Sequence, residues 1–487
     1  MEHIMITAKE LNTLGLPADP RLMSLALKLV NSALARGSGE ETDHPAKLEA
    51  MRAAIRALAA EPESMLNHEP LGPLARMFTE LFPDGAGFTP REPPAPWKQW
   101  GSVDVEEEAV RQMENACRIP GAVRGALMPD AHTGYGLPIG GVLAVKNAVI
   151  PYAVGVDIAC RMRLTVLDMP LARLFTHRDE FITAIERETR FGMGSGFEKN
   201  ARRVHPVMDE DWNVSPITRV NRDKAWKQLG SSGGGNHFVE FGELQMKVPA
   251  RMGETELMPG SYLALLSHSG SRGTGESVAL HYSERAMSLR PRLPDSLRRL
   301  AWLDSDSEEG REYWAAMQLM GRYAAANHEL IHAHVLKALG AQELTHVENH
   351  HNFAWKEEHG GESVIVHRKG ATPADTGRLG IVPGSMCSPA FVVRGKGCEE
   401  ALCSCSHGAG RLMSRAAAFR QFKRADMDAL LRENGVELLS AGLDEAPMVY
   451  KDIHAVMAAQ HDLVDILATF QPRLVKMARD EPRHKRR

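Results

Sequence analysis

A carboxylate and a thiol stand three residues apart at the end of an apolar run. The segment is Val154-Gly-Val-Asp-Ile-Ala-Cys160, and a loop or helical turn there presents Asp157 and Cys160 to one cation. A small buried cysteine beside a capping aspartate is the commoner arrangement, so the pair by itself indicates little.

A glycine-rich segment follows, Gly233-Gly-Gly-Asn-His-Phe-Val-Glu240. Its glycines let the backbone approach a ligand. Asn236, His237 and Glu240 supply an amide, an imidazole and a carboxylate. If a strand follows, His237 and Glu240 point to opposite faces and serve different partners. A glycine-rich turn that carries incidental polar residues fits equally well.

The segment Leu266-Ser-His-Ser-Gly-Ser-Arg-Gly-Thr-Gly275 also ends an apolar run. Its hydroxyls, glycine amides and Arg272 are groups that bind a phosphate oxyanion. It lacks the Gly-Lys-Ser/Thr of a P-loop. His268 is either a metal ligand or a histidine with satisfied hydrogen bonds at a strand end.

Further histidines lie in Glu348-Asn-His-His-Asn352 and Cys405-Ser-His-Gly-Ala-Gly-Arg411. Adjacent imidazoles do not easily share one metal, so at most one of the first pair is a ligand. Small neighbours leave His407 open, and a neutral imidazole nitrogen is a competent nucleophile toward phosphorus. Arg411 and Arg415 can neutralise phosphate charge. The alternative is a tight turn into the following helix.

Together these segments predict a metal site surrounded by phosphate-binding loops. One carboxylate, one thiolate and several histidines match the ligands of a first-row transition metal. Polar, glycine-rich loops that each follow an apolar run are not typical of a purely structural protein. On ligand softness alone, the cysteine and histidines favour zinc.

The composition is that of a globular protein, with 43% hydrophobic and 25% charged residues in a chain of 487. The formal net charge of -4 argues against a uniformly basic surface. Residues Arg473–Arg487, however, carry seven cations against two acids. We expect a solvated basic tail there, with nucleic-acid contact as the sharper alternative.

The sequence shows no membrane span and no secretory signal. No uninterrupted apolar run reaches the roughly 20 residues that a span needs, and the first residues lack an apolar signal segment. Six cysteines in such a chain indicate reduced thiols. The sequence therefore predicts a cytoplasmic protein without membrane partners.

A proline- and glycine-rich segment, residues 83–97, is typical of a linker. Residues 1–90 form a predicted helical N-terminal extension, in which Leu48, Met51, Ile55 and Leu58 share one helical face. Residues 98–487 alternate β-branched runs with helical patterns, which predicts one large α+β domain of mixed sheets and surrounding helices. The predicted strands are Val142–Val149, Val154–Ile158, Leu263–Leu266, Val364–Val366 and Phe391–Val393, and the predicted helices cover 171–190, 308–338 and 412–432.

In its motifs and their order the chain resembles the RtcB family of RNA-splicing ligases. The motifs run from about residue 125 to 452 and leave residues 1–90 uncovered. They are Met128–Gly140, Gly155–Cys160, Gly235–Glu240, His268–Gly273, His350–Asn352, His367–Ala374, Pro383–Met386 and His407–Arg411. Because eight motifs in one order are specific, the resemblance implies a single RtcB-like catalytic domain over residues 98–487.

The resemblance implies a GTP- and Mn²⁺-dependent enzyme of tRNA splicing or RNA repair. It would join RNA ends with a 2′,3′-cyclic phosphate or 3′-phosphate to 5′-hydroxyl ends. His407 resembles the nucleophile that forms a covalent guanylate. Two manganese ions are implied: Cys160 bridges them, with Asp157 and His237 on one ion and His268 and His351 on the other. The implied nucleotide contacts are Asn236, Glu240, Asn352, Gly408, Ala409, Gly410, Tyr450 and Lys476, and our candidates for phosphate or RNA contacts are Arg272, Arg411 and Arg415.

Three residues depart from the family pattern. Arg161 follows the metal cysteine in place of glycine, Ala390 stands where a serine usually contacts guanine, and Met477 replaces the glycine after Lys476. These changes bear on guanine affinity more than on the chemistry, because the implied metal ligands and His407 are present. Since the family uses manganese, we expect Mn²⁺ to support activity and Zn²⁺ to occupy the site and inhibit.

Two other functions fit the same segments. A metal-dependent RNA-end phosphoesterase needs two metals and phosphate loops but no nucleophilic histidine. A non-catalytic RNA-repair subunit would bind RNA without joining it. The sequence leaves open which RNA is joined, whether an archease-type activator is needed, the oligomeric state, and the role of residues 1–90.

Overall fold

The computed structural model of the chain describes residues 6–17, 19–35, 44–82, 90–101, 104–291 and 293–479. The chain divides into two compact units. The first contains Met1–Pro90 together with Ser283–Trp302, and the second contains Arg91–Tyr282 and Leu303–Arg487. The sequence did not predict that Ser283–Trp302 belongs with the first unit. Residues 83–89 of the predicted linker and residues 480–487 at the end of the basic tail lie outside the described residues.

The first unit is helical in its described residues, as its apolar spacing predicts. Leu48, Ile55 and Leu58 are buried and Met51 packs against them, which confirms the predicted helical face. The Thr7 hydroxyl caps the first helix by accepting a hydrogen bond from the backbone N–H of Glu10 at 3.2 Å. The α-helices of the N-terminal segment are α1 Ala8–Thr13, α2 Pro20–Ala35, α3 His44–Ala60 and α4 Gly72–Leu81.

The second unit is built on two mixed sheets, and the predicted α+β class is confirmed. The first sheet has the strand order β1-β2-β3-β13-β12. Its strands are β1 Trp97–Gln99, β2 Ala122–Tyr135, β3 Leu137–Val145, β12 Phe353–His359 and β13 Glu362–Lys369.

The larger sheet has the order β11-β5-β9-β6-β19-β16-β15, with β18 pairing β19. Its strands are β5 Arg161–Leu167, β6 Phe238–Met246, β9 Gly260–Ser269, β11 Glu343–His350, β15 Leu379–Val382, β16 Ala390–Gly395, β18 Glu437–Ser440 and β19 Val464–Met477. Three short pairs complete the strands: β4 Ala148–Val149 with β10 Leu303–Asp304, β7 Ala250–Met252 with β8 Thr255–Leu257, and β14 Ala371–Pro373 with β17 Ser404–Ser406.

Helices accompany these sheets, and the longest begins where Ser307 caps it and ends at Gly340, which adopts the left-handed conformation that stops a helix. The predicted helix over 308–338 is confirmed within a residue at its end. The predicted helices over 171–190 and 412–432 are each divided into two shorter helices, at His177 and at Phe422–Lys423. The helices are α5 Glu107–Cys117, α6 Pro151–Val154, α7 Arg173–Thr176, α8 Arg178–Glu188, α9 Pro216–Gln228, α10 Arg272–Leu289, α11 Glu308–Leu339, α12 Arg415–Gln421, α13 Arg424–Glu433 and α14 Ile453–Ala458.

Two expectations about local structure were wrong. Val154–Ile158 is not a strand: Val154 ends α6, Gly155 follows with φ 104°, and the chain then bends toward Cys160. Pro151 occupies the first position of α6, a helix-starting signal that the strand prediction overlooked. The segment from Arg473 is not entirely a solvated tail, because β19 runs to Met477 and buries Leu474–Met477. Among the described residues, no helix has the length and apolar character needed to cross a membrane.

Candidate functional site

Antiparallel pairing brings the ends of four neighbouring strands of the larger sheet together. They lie along the edge of the sheet that runs across the strands. Strands β5 and β6 flank β9, so Arg161 pairs with Ser269 and Phe238 pairs with His268. Cys160 and His237 immediately precede these two strands and therefore lie beside His268. On the other side of β5, His350 pairs with Arg161, which places His351 at the same edge.

The side chains at this edge form two groups that share one sulfur. Asp157, Cys160 and His237 form one group and Cys160, His268 and His351 the other, each with ligand atoms within 4.8 Å of one another. The Cys160 Sγ lies 3.3 Å from His237 Nε2 and 3.0 Å from His268 Nε2. His268 Nε2 is 3.3 Å from His351 Nε2, and His237 Nε2 is 2.9 Å from Asp157 Oδ2.

Hydrogen bonds fix which imidazole nitrogens face the shared sulfur. His237 Nδ1 donates to the Ser232 carbonyl at 3.0 Å, and His268 Nδ1 donates to the Asn236 carbonyl at 3.1 Å. Nε2 of His268 therefore presents a lone pair to the thiol, and Nε2 of His237 faces Asp157 and Cys160. Because burial lowers the pKa of His268 to about 3 and that of His351 well below its ordinary value, both rings are neutral near pH 7. Converging lone pairs around a thiol fit a metal cation.

The acidic ligands of this edge have opposite pKa shifts. Burial acts to raise the pKa of Asp157, but its hydrogen bond with His237 and the charges of His237 and Arg272 outweigh burial and lower it. Burial, and next the Asp157 charge, raise the pKa of Cys160 well above its ordinary value. A divalent cation would reverse that shift and favour the thiolate.

Asn352 holds the loop that carries Asp157. Its amide donates to the Asp157 carbonyl at 3.3 Å and accepts from the Gly370 N–H at 2.7 Å. Asn352 lies at φ 57°, and its carbonyl accepts from Ala159 N at 2.9 Å. The residue lines the cleft, but its side-chain amide is occupied with backbone groups and positions the loop.

His407 follows β17 and is held by an aspartate from β2. Its Nδ1 donates to Asp130 Oδ2 at 2.7 Å, and the same oxygen accepts the N–H groups of His407 and Gly408 at 3.2 and 3.3 Å. Nε2 is thus left as the free nitrogen of His407. Gly410 comes so close to Asp130 that a Cβ there would lie 2.1 Å from the Asp130 carbonyl oxygen. The sequence did not reveal the role of Asp130; its only signal was its place in Met128–Gly140.

Four of the metal-ligand residues line one cleft of about 670 Å³ together with His407, whereas His237 does not line it; the four are Asp157, Cys160, His268 and His351. The rings of His351 and His407 have centroids 4.9 Å apart, so the candidate nucleophile lies beside the candidate metal site. Gly408, Ala409, Gly410, Asn236 and Tyr450 also line the cleft. Its remaining lining is mixed. The apolar wall includes Phe238, Met386, Ala390, Met413 and Met477, and the polar residues include two buried carboxyl groups, Glu240 and Glu445.

The three arginines differ in their surroundings. Arg411 Nη1 lies 3.2 Å from Glu445, and Arg415 pairs with both Glu445 and Asp444, so acidic groups already offset the two arginines that line the cleft. Arg272 does not line the cleft. Its Nη1 is 3.0 Å from His237 Nδ1 and 3.3 Å from Ser269 Oγ.

Arg272 reaches His237 because Gly233 lacks a side chain. A Cβ on Gly233 would lie 1.4 Å from the guanidinium, and Gly233 has φ 96°. Gly233 therefore makes room for a side chain of the protein itself, which differs from the sequence interpretation that the glycine serves a ligand.

Lys476 is the one predicted nucleotide contact that the structure turns away from the cleft. In β19 it pairs with Val239, on the face of the sheet opposite Glu240, and its Nζ lies 2.9 Å from Glu186. The cleft is instead lined by its neighbour Met477. The alternation of side chains along an extended strand explains this correction.

The structure also shows where His350 and the three residues that depart from the family pattern lie. The His350 ring packs on Trp355, with centroids 5.1 Å apart, while only His351 joins a metal-ligand group. Of the three departures from the family pattern, Ala390 and Met477 line the cleft. Arg161 does not; it pairs with Glu348 and donates to the Gly321 carbonyl at 3.2 Å.

Replacing Glu240 with glutamine is expected to remove a pH-dependent loss of stability. Burial raises the pKa of Glu240 well above its ordinary value of 4.5. Above that value the unfolded chain releases the proton while the folded chain keeps it, so rising pH costs at most about 1.4 kcal/mol per pH unit. Glutamine does not titrate. Urea unfolding from about pH 5 to pH 8 should therefore show the variant gaining stability relative to the natural chain as pH rises.

Glu243→Gln is the matched control, because Glu243 lies on the same strand at a partly exposed position. It should show no comparable trend. Parallel pH profiles for Glu240→Gln and the natural chain would contradict the assigned shift.

Comparison with known proteins shows the family of the chain. The family model described as tRNA-splicing ligase RtcB matches residues 112–477. The RNA-splicing ligase RtcB of Escherichia coli strain K12 is 34% identical over 412 residues, which cover 77% of this chain and 96% of that protein. The tRNA-splicing ligase RtcB of Archaeoglobus fulgidus is 32% identical over 439 residues, covering 74% and 88%. The chain that presents Cys160, its histidines and His407 to one cleft belongs to the RtcB family of tRNA-splicing ligases.

Proposed function

We propose that this RNA ligase joins RNA ends with a 2′,3′-cyclic phosphate or 3′-phosphate to 5′-hydroxyl ends through a guanylate on His407. The observation that carries the proposal is the placement of His407 beside His351, with its Nδ1 hydrogen-bonded to buried Asp130. A histidine held in this way offers Nε2 as a neutral nucleophile. RNA splicing or repair is the activity of the family to which the chain belongs.

The donor set would suit two manganese ions, held by Asp157, Cys160 and His237 and by Cys160, His268 and His351. Nitrogen, oxygen and sulfur atoms are present in both groups, and the hydrogen bonds of His237 and His268 already orient their Nε2 atoms. Bound Mn²⁺ would act as a Lewis acid that neutralises phosphate charge and orients the triphosphate of GTP. Soft ligands also suit Zn²⁺, which we expect to bind and inhibit.

His407 performs the first step with its Nε2. The nitrogen attacks the α-phosphorus of GTP, a P–N bond forms, and the bond to pyrophosphate breaks. Asp130 keeps the ring proton on Nδ1 and stabilises the positive charge that the ring gains. Because His407 and Gly408 donate their N–H groups to the same carboxylate oxygen, the ring and its loop move together.

The guanylate then passes to RNA. A cyclic phosphate end is first hydrolysed to a 3′-phosphate, whose oxygen attacks the guanylate phosphorus and breaks the P–N bond to His407. The 5′-hydroxyl oxygen finally attacks the activated 3′-phosphate, and GMP leaves. Arg411 and Arg415 are our candidates for holding phosphates in the cleft, where they exchange part of their pairing with Glu445.

The nucleotide base is assigned to the apolar wall of the cleft. Glu240 is the carboxyl group buried there, and Asn236, Tyr450 and the Gly408–Gly410 backbone line the path to His407. Methionine side chains adapt to planar rings and contact them favourably through sulfur. Met477 and Ala390 therefore change the shape of the base site without touching the residues assigned to the chemistry.

The test is incubation of the full chain with α-labelled GTP and Mn²⁺, followed by an RNA with a 3′-phosphate and a second RNA with a 5′-hydroxyl. We expect label on the protein, then on the 3′ end, then a joined product. Parallel reactions contain Zn²⁺ alone, or an archease-type activator. Phosphate removal without labelling would identify a phosphoesterase, RNA binding without either would identify a non-catalytic subunit, and full ligation with Zn²⁺ alone would refute the metal assignment. We also propose that the protein acts in the cytoplasm.

A further inference from the structure

A third group of metal-ligand side chains lies outside the cleft. His359 ends β12, Glu399 opens a short turn of 3₁₀ helix at Glu399–Ala401, and Cys403 precedes β17. One ligand atom from each lies within 4.8 Å of the others, and none of the three lines the cleft. We call these residues the His359 cluster.

The His359 ring is oriented by a buried ion pair behind it. Arg368 is fully buried, and its two terminal nitrogens donate to the two oxygens of Glu357 at 2.6 and 2.9 Å. Glu357 Oε2 lies 2.9 Å from His359 Nε2. In metal sites a ligating histidine commonly donates its second N–H to a carboxylate that is itself hydrogen-bonded. This arrangement leaves Nδ1 for the cluster.

Nδ1 faces two acidic groups of different kinds. It lies 3.0 Å from Glu399 Oε2, and the Cys403 Sγ lies 3.8 Å from Glu399 Oε1. Burial, and next the Glu399 charge, raise the pKa of the Cys403 thiol to about 11. Because one ligand atom from each residue lies within 4.8 Å of the others, a cation there would contact the imidazole, the carboxylate and the sulfur together.

The backbone turns the thiol toward Glu399 at a conformational cost. Leu402 and Cys403 have φ 50° and 45°, two successive side chains in the left-handed region. Such conformations persist where surrounding contacts over-determine them. Arg368 supplies one such contact by donating to the Leu402 carbonyl at 2.8 Å, so the ion pair that orients His359 also fixes the loop that carries Cys403.

We propose that the His359 cluster binds one zinc ion through His359 Nδ1, a Glu399 oxygen and the Cys403 thiolate. Nitrogen, carboxylate and thiolate ligands in a small group are the set that zinc prefers, with water in the fourth position. Glu399 is exposed over 66% of its side chain, which leaves that position open to solvent. The charges balance: thiolate and Glu399 neutralise the ion, Arg368 neutralises Glu357, and the thiol proton passes to solvent.

The ion would link two segments that lead to the cleft. Strand β12 begins directly after His351 and Asn352, and β17 ends directly before His407. Zinc at the far end of β12 would hold the loop before β17 in place. The inference does not depend on the proposed guanylate chemistry, since the cluster shares no residue with the cleft.

Zinc binding is tested by native mass spectrometry and chelator competition on the full chain carrying Cys160→Ser, which removes the ligand shared by the two cleft groups. We expect the His359 cluster to hold one zinc. Glu399→Ala and Cys403→Ser should each weaken its binding by roughly 100-fold or more, since even loss of an outer partner of a ligand costs 10–100-fold. Zinc left at the cleft is common to all variants and cancels.

The matched controls are Glu400→Ala and Cys398→Ser, neighbours of the ligands that lie outside the cluster. They should leave the binding of this zinc unchanged. Cobalt(II) should show a thiolate-to-metal absorption band that Cys403→Ser removes. If Cys403→Ser fails to fold, the exposed Glu399→Ala decides. Equal zinc affinity in Glu399→Ala and Glu400→Ala would overturn the site.

Discussion

Replacing His407 with alanine is expected to abolish the covalent protein–guanylate completely. Nε2 of His407 is the nitrogen left free in a ring that Asp130 fixes through Nδ1, and it lies beside the candidate metal site. Alanine removes the atom that would form the P–N bond, and a covalent step has no substitute for its nucleophile. Ligation of a 3′-phosphate end to a 5′-hydroxyl end should be lost with it.

The measurement is transfer of label from α-labelled GTP to the protein in the presence of Mn²⁺, with His461→Ala as control. His461 is exposed, and its Nδ1 contacts the Ala458 carbonyl outside the cleft, so its removal should leave labelling unchanged. Metal content and GTP binding should survive in His407→Ala, because none of its contacts are to the metal-ligand groups except the ring packing on His351. Label trapped on His407→Ala would show that another residue is the nucleophile.

The sequence reveals which residues could be metal ligands better than it reveals which side chains contact one another. Asp157, Cys160, His237, His268 and His351 stand in loops or at strand ends, and antiparallel pairing of neighbouring strands suffices to bring such positions together. Local pattern also places the long helix α11 and the helical character of the first unit. These features depend on residues close together in the chain or on adjacent strands.

Long-range contacts are what the sequence does not reveal. Asp130 and His407 are 277 residues apart, and no local pattern connects a strand aspartate to a loop histidine. Lys476 is a nucleotide contact that the family resemblance implies, yet its register against Val239 turns it to the other face. A shift of one residue along a strand reverses every side chain, and register depends on pairing that a single sequence does not display.

Asp130 is the site of the second large effect. Its Oδ2 accepts three N–H groups, and its Oδ1 is buried without a hydrogen-bond partner. Lys451 donates to the carbonyls of Pro129 and Ala131 at 3.2 and 2.7 Å, which fixes the backbone on both sides of Asp130. The carboxylate is therefore held rigidly as an acceptor for the His407 ring.

Asp130→Asn is expected to slow guanylate formation by about 100- to 10,000-fold, with GTP affinity changed little. In Ser-His-Asp sites the equivalent change costs about 10⁴. Asparagine can place its oxygen toward the three N–H groups but cannot stabilise the charge that His407 gains, and its reversed amide would put the ring proton on Nε2. Single-turnover labelling over a range of GTP concentrations separates rate from affinity. Asp452→Asn is the control, since its carboxylate also accepts a backbone N–H, that of His454 at 2.9 Å. A loss confined to GTP affinity, or an unchanged rate, would mean that Asp130 only shapes the loop and does not stabilise charge on His407.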